Sequence, residues 1–276
     1  MSMIAFQLAP SKNIPFQTQA STLDEMTREL PQGFYTTFST LSQGTKVFGL
    51  KSHLQRLYVP AMEQGINPSV DDLTLRTRVA EFAKMNLPKE SRIRLILTKN
   101  KGMIYVGIQP FEALSKQIYE NGVQVITTEL ARESPHMKDT GFISSSIDQR
   151  KKVGREVFEV LLIKKGQILE GMTSNFYAIK GKTLITAQSG ILLGVTRRVI
   201  LRLARGQGMS VEYRPTHINE KFNEAFLTSS SRGVVPIISI DKMAVGQGRV
   251  GKWTKMLSKA YQAYVEERSE KLLLVA

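Results

Sequence analysis

An α+β fold in two domains is what this sequence predicts, and three observations predict it. Runs rich in β-branched and aromatic residues double back through short turns, as in 92–108 and 157–169, which marks antiparallel hairpins. Stretches of helical periodicity lie between those hairpins. The chain is 276 residues long, enough for two moderate cores, and its strand patterning lapses over 110–119. The reading is a small α/β domain over 1–112, a connection over 113–120 and a larger domain over 121–276.

In chain order, residues 1 to about 30 are polar and mixed, with Ser21-Thr22-Leu23-Asp24-Glu25 reading as a short capped helix. A hairpin spans 33–50 through Ser42-Gln43-Gly44. A helix follows from Ser52 with Leu54, Leu57 and Tyr58 inward, and 71–86 gives another, with Leu73, Leu75, Val79, Phe82 and Ala83 toward the sheet. Residues 92–98 and 103–108 pair across Lys99-Asn100-Lys101-Gly102. Beyond the connection, 122–128 begins a strand, a helix starts near Ser146, and 157–163 returns through Lys164-Lys165-Gly166 to Glu170. Residues 177–186 form a further hairpin. The helix from Val195 to Arg205 puts Val199, Ile200, Leu203 and Ala204 inward and Arg197, Arg198, Arg202 and Arg205 outward, ending at Gly206-Gln207-Gly208. Strands at 210–213, from Glu224 and at 237–241 lead through Gly246-Gln247-Gly248 to a C-terminal helix.

Composition narrows the function classes. No stretch reaches the roughly 18 consecutive apolar residues of a membrane span, and the first ten residues make a poor signal peptide, so a cytoplasmic protein is expected. With no cysteine there is no disulfide, thiolate metal site or cysteine nucleophile, and the three histidines are too dispersed for a metal set. The net charge of +14 raises the question of a polyanion, but the cations are spread along the chain without an RNA-binding aromatic motif or helix-turn-helix pattern. A solvated surface and an anionic small-molecule substrate are expected ahead of nucleic acid.

Two stretches carry chemistry. Gly194-Val195-Thr196 opens a helix, where free N–H groups, the positive end of the dipole and a hydroxyl make an anion seat. Glu170, before a turn and an apolar β run, is an acid at the edge of a sheet. Taken singly, these are equally an ordinary helix start and a hairpin glutamate. Lys138 is one lysine among many, and Arg56 taken alone reads as a surface arginine on an amphipathic helix.

In combination they resemble the class IV aminotransferases, the fold-type IV enzymes that use pyridoxal 5'-phosphate. Glu170-Gly171-x-x-Ser174-Asn175-Phe176 resembles the acidic signature, Gly194-Val195-Thr196-Arg197 the phosphate-binding helix start, and His53-Leu54-Gln55-Arg56-Leu57 the H-x-x-R-L element. The resemblance covers about 33–253. It implies that the larger domain is a pseudo-barrel, that the cofactor lies between domains and that the assembly is a homodimer.

It further implies roles. Lys138, thirty-two residues before Glu170, becomes the lysine that holds the cofactor as an internal aldimine and moves the substrate proton. Glu170 faces the pyridine nitrogen, with Ser174 and Asn175 beside it. Arg56, Val195, Thr196, Ser229 and Ser230 hold the phosphate. Phe142 and Ile143 stand where many relatives have a tyrosine or asparagine.

Tyr35, Arg92 and Arg94 are the substrate-side candidates, the arginines as partners of a substrate carboxylate. The implied reaction is amino transfer between an α-amino acid and a 2-oxo acid. The alternatives are aminodeoxychorismate lyase chemistry, to which the threonines of Gly33-Phe34-Tyr35-Thr36-Thr37 are closer, and a non-catalytic phosphate-ligand module.

Overall fold

The computed structural model describes residues 3–154 and 156–272. The first elements are β1 (Ile4–Leu8), β2 (Asn13–Pro15), α1 (Leu23–Glu29), β3 (Gly33–Leu41), β4 (Lys46–Val47), α2 (Leu50–Glu63) and α3 (Asp72–Lys84). Then come β5 (Ser91–Thr98), β6 (Ile104–Pro110), α4 (Lys116–Asn121), β7 (Val123–Glu129), α5 (Gly141–Ser145), α6 (Ile147–Lys151), β8 (Glu159–Lys164) and β9 (Gln167–Gly171). The chain continues through β10 (Asn175–Lys180), β11 (Thr183–Thr186), α7 (Val195–Gly206), β12 (Ser210–Tyr213), β13 (Thr216–His217) and β14 (Glu224–Ser229). It closes with β15 (Gly233–Ile240), β16 (Met243–Ala244), α8 (Lys252–Arg268) and β17 (Glu270–Lys271). No described helix is long and apolar enough to cross a membrane.

The chain forms two compact units. Unit one gathers the residues up to Glu112 with Met137–Ser145 and those from Glu267 onward; unit two holds Ala113–His136 and Ser146–Glu266. The sequence reading assigned Met137–Ser145 and the C-terminal residues to the second domain. The reason for the difference is an open edge. β4 pairs with β3 only at Thr40 and Leu41, which leaves β3 unpaired on that side at Gly33–Tyr35. There the Tyr35 N–H donates to the Lys138 carbonyl at 2.8 Å and the Thr140 N–H to the Gly33 carbonyl at 2.9 Å. Backbone groups at a strand edge require partners, and this segment supplies them.

Unit one is built on an antiparallel sheet in the order β17-β4-β3-β5-β6-β1-β2. Side chains alternate along its strands. Phe34, Phe38, Ile93, Leu95 and Leu97 pack with Leu54 and Leu57 of α2 and Leu75, Val79 and Phe82 of α3. Tyr35 and Ile96 face the other way, onto Leu23 and Met26 of α1 and Ile143 of α5. The N-terminal residues, read as carrying only a capped helix, also add β1 to the sheet beside β6. Leu73, expected inward, is 69% exposed, because it sits on the first turn of α3 away from the sheet. The local signal at α1 is sound: Thr22 accepts from the Glu25 N–H while the Glu25 carboxylate accepts from the Thr22 N–H.

Unit two carries a mixed sheet in the order β12-β11-β10-β14-β15-β7-β8-β9-β13, with β16 beside β15. β7 is parallel to both β15 and β8, and the two hairpins read from sequence appear as β8–β9 and β10–β11. Val125, Leu161, Ile163, Phe176, Leu227 and Val235 lie in its core. α7 buries Val199, Ile200 and Ala204 as expected, but Arg197 is inward as well. Its guanidinium donates to the Ala187 carbonyl at 2.8 Å and lies over the Tyr213 ring, so a backbone acceptor replaces water.

Arg94 belongs to the framework of unit one. Its side chain is 6% exposed and donates to the Asp24 carboxylate at 2.6 Å, the Thr37 hydroxyl at 2.9 Å, the Thr27 hydroxyl at 2.9 Å and the Leu23 carbonyl at 3.0 Å. This corrects its reading as a partner of the substrate carboxylate, because α1 already satisfies the charge. Arg94→Ala should therefore destabilise the protein by about 3 kcal/mol, the low end for breaking a buried ion pair, in a chemical denaturation experiment. A fall below ~1 kcal/mol would show that α1 does not depend on it.

Candidate active site

Lys138 is half-buried and held on both sides. Its carbonyl accepts from Tyr35, Asp139 bridges Phe34, and the Gly33 N–H donates to the Thr140 hydroxyl at 2.9 Å. Asp139 is itself paired with Lys99 and accepts from the Gly141 N–H at 2.7 Å. Gly33 is required by the close approach of β5, since a Cβ there would lie 2.2 Å from the Leu97 carbonyl oxygen. The backbone on either side of Lys138 is thus fixed, while its ammonium sits 4.7 Å from the centre of the Tyr35 ring. Arg94 lies 5.0 Å from the same ring, and Tyr35 is 4% exposed.

α2 places His53 and Arg56 about one turn apart. His53 is 1% exposed; its Nδ1 is 2.7 Å from the Thr36 hydroxyl and its Nε2 is buried without a hydrogen-bond partner. Burial, followed by the positive charges of Arg56 and Lys138, pushes its pKa from 6.5 down to about 3. Arg56 and Lys138 are thus both near enough to act on this neutral imidazole. Arg92 is half-buried on β5 opposite Ser39.

In unit two the acid is Glu170, 2% exposed near the end of β9. The register of β8 with β9 passes from Leu162–Glu170 to Ile163–Ile168, leaving Leu169 as an extra residue beside the glutamate. Such a bulge turns the strand and re-aims the neighbouring side chain. One carboxylate oxygen accepts from Arg132 Nε at 2.6 Å; the other accepts from the Leu192 N–H at 3.1 Å and faces Asn175 Nδ2 at 3.5 Å. Arg132 also donates to the Met172 carbonyl at 2.9 Å, and Asn175 to the Leu192 carbonyl at 2.7 Å.

Two residues past Leu192, Gly194 caps α7 with no side-chain hydrogen bond to its first turn. A Cβ on Gly194 would lie 2.3 Å from Asn175 Oδ1, so the cap is bare by necessity. The N–H groups of Val195 and Thr196 occupy that first turn, where an α-helix leaves its donors without intrahelical partners. Thr196 is 2% exposed, and its hydroxyl is 3.4 Å from the Tyr261 hydroxyl. Ser229, the last residue of β14, and Ser230, in the turn to β15, are partly exposed.

Ser174 is engaged elsewhere. Its hydroxyl donates to Glu159 at 3.3 Å, in a cluster where Thr173 donates to Glu159 at 2.6 Å and Arg232 to Glu159 at 2.9 Å and to Ser229 at 3.1 Å. Sequence alone does not single out Arg132, Glu159 or Arg232. The available signal for Arg132 was the demand of Glu170, a carboxylate between Leu169 and Met172 that needs a strong donor once buried.

Known proteins are similar to this chain in sequence and in fold. The chain is 28% identical to D-alanine aminotransferase of Bacillus licheniformis over 233 residues, covering 78% of this chain and 82% of that one. It is 27% identical to branched-chain-amino-acid aminotransferase of Pseudomonas aeruginosa, covering 83% and 81%. Among solved structures, a T.th. branched-chain amino acid aminotransferase with pyridoxamine 5'-phosphate matches with a TM-score of 0.82 at 18% identity, covering 99% of each chain. The Escherichia coli branched-chain enzyme matches at 0.79 and 17%, covering 99% and 100%. These likenesses give the fold, that of the fold-type IV aminotransferases. The family model for amino-transferase class IV matches residues 33–240, and the chain belongs to that family.

His53 makes the site testable by pH. A free imidazole titrates near 6.5 and the folded one at about 3, so between these values the unfolded chain binds the extra proton and stability falls as pH drops. The contribution is up to about 1.4 kcal/mol per pH unit. His53→Gln should flatten the dependence of unfolding free energy on pH between roughly 4.5 and 6 by nearly one proton. An unchanged slope would mean that His53 is protonated in the folded protein.

Proposed function

We propose that this class IV aminotransferase uses pyridoxal 5'-phosphate to move an amino group between an α-amino acid and a 2-oxo acid, with Lys138 as its catalytic lysine. The observation that carries the reading is the connection in unit two. One buried carboxylate is bonded through Leu192 and Asn175 to the loop that opens a bare helix N-terminus. A ligand with a basic ring nitrogen at one end and a phosphate at the other fits this donor set. Pyridoxal 5'-phosphate is such a molecule, and when bound it supplies an aldehyde and an electron-withdrawing ring.

In this reading Glu170 holds a proton on the ring nitrogen, and Arg132 and Leu192 hold Glu170. The N–H groups of Val195 and Thr196, the Thr196 hydroxyl, Ser229, Ser230 and Arg56 bind the phosphate. Ser174 acts at one remove, through Glu159 and Arg232. Lys138 would act as general base at the substrate α-carbon and then as general acid, carrying that proton on to the C4' carbon of the cofactor. For that it must be a neutral amine. Tyr35 lies against the lysine amine, and with Arg92 is assigned to the substrate side. The same reading includes a homodimer and a cytoplasmic location.

The matches to D-alanine and branched-chain aminotransferases favour amino transfer over lyase chemistry. Purified protein should be yellow, and borohydride should bleach the colour while leaving the cofactor covalently attached to Lys138. A panel of L- and D-amino acids with 2-oxoglutarate or pyruvate should reveal a donor, and Lys138→Ala should lower turnover by at least ~10²–10⁴-fold while still retaining cofactor. Pyruvate release from aminodeoxychorismate without amino transfer from any donor would overturn this reaction. Wild-type turnover in Lys138→Ala would remove the lysine from its role.

A further inference from the structure

We propose that Tyr261, on the C-terminal helix, is a positioning residue for the phosphate end of the cofactor, its hydroxyl orienting the Thr196 hydroxyl toward the ligand. This rests on the reading of α7 as the phosphate seat and extends it to a residue outside every motif that marks the family in this sequence.

α8 buries a single face. Thr254, Leu257 and Tyr261 recur at intervals of three and four and are its buried residues. The α8 N-terminus is closed by Glu224, which accepts from the Trp253 N–H at 3.1 Å and the Thr254 N–H at 2.7 Å, so the helix is fixed at its start. Two turns on, the Tyr261 ring packs over Gly233, and its hydroxyl reaches to 3.4 Å from Thr196 Oγ1. Tyr261 therefore touches both the first turn of α7 and the turn that follows Ser229 and Ser230.

The chemistry gives the contact a direction. A threonine hydroxyl has one proton and two acceptor positions. If Thr196 is to donate to a phosphate oxygen, the hydrogen bond with Tyr261 must run from the phenol to the threonine. Tyr261 is 5% exposed, and burial raises its pKa, so it stays protonated and able to donate. Neighbouring groups have their own partners. Thr228 donates to the Tyr177 hydroxyl at 3.2 Å, and Tyr119 donates to the Arg232 carbonyl at 2.8 Å.

The test compares pyridoxal 5'-phosphate with pyridoxal, which lacks the phosphate, on wild type, Tyr261→Phe, Thr196→Val and the double variant. Thermal unfolding and circular dichroism confirm that each is folded. Tyr261→Phe should weaken pyridoxal 5'-phosphate about five-fold, the effect of losing one neutral hydrogen bond, and leave pyridoxal within about two-fold. In the Thr196→Val background Tyr261→Phe should have no further effect, because its route is through that hydroxyl. Equal affinity of wild type and Tyr261→Phe for the phosphate form overturns the proposal, as does equal weakening of both ligands or full additivity. A folded wild type that binds neither ligand instead overturns the cofactor reading itself. Should Tyr261→Phe not fold, Tyr261→Leu decides: weakening of pyridoxal 5'-phosphate but not of pyridoxal supports the hydroxyl contact, and equal effects on the two ligands overturn it.

Discussion

The carboxylate of Glu170 is the constraint on which unit two is arranged. An ionised group at 2% exposure is too costly to bury unless it is paired and hydrogen-bonded, and here it meets both conditions. Arg132 supplies the charge and Leu192 a backbone donor. Because Leu192 lies two residues before the cap of α7, satisfying the acid also fixes where that helix begins. Asn175 reinforces the link from the other side, and its side chain comes so near Gly194 that a Cβ there would push it aside. The bare helix end, ready for an anion, is thus a consequence of how the acid is buried.

Unit one follows the same logic with opposite charges. Arg94 is satisfied by α1, and Asp139 beside the lysine by Lys99 and a backbone amide. The Lys138 ammonium lies against an aromatic face, and with Arg56 it acts on a histidine that stays neutral. The lysine backbone is strapped to an open strand edge, so its side chain is the part left to move. Precise placement of a reacting group on fixed backbone is what lowers the barrier in a transfer reaction.

Much of this was legible in the sequence where the cause is local. The capping box at Thr22 and Glu25, the periodicity of α7 and the paired strands around Gly166 depend on neighbours a few residues away. The site motifs were legible through resemblance, and their residues fall at the strand end, helix start and turn expected of them. What stayed hidden depends on distant partners. Arg132 meets Glu170 across thirty-eight residues. Arg94 matched a substrate-binding pattern, yet α1 lies some seventy residues upstream and uses it. Arg197 falls in register with exposed arginines, and only the Ala187 carbonyl makes an inward position tolerable. The reassignment of Met137–Ser145 depends on the shortness of β4, a property of pairing that no residue pattern in the segment reveals.

The central claim is that Glu170 and the start of α7 form one unit through Arg132 and Leu192. Amide hydrogen exchange in Arg132→Met against wild type tests it most directly, because the Leu192 amide is bonded to the carboxylate that Arg132 holds. Exchange at Leu192 and in the first turn of α7 should quicken by about ten-fold or more, while the strands β14 and β15 keep their protection. Unchanged protection at Leu192 in a variant that has lost Arg132 would contradict the account.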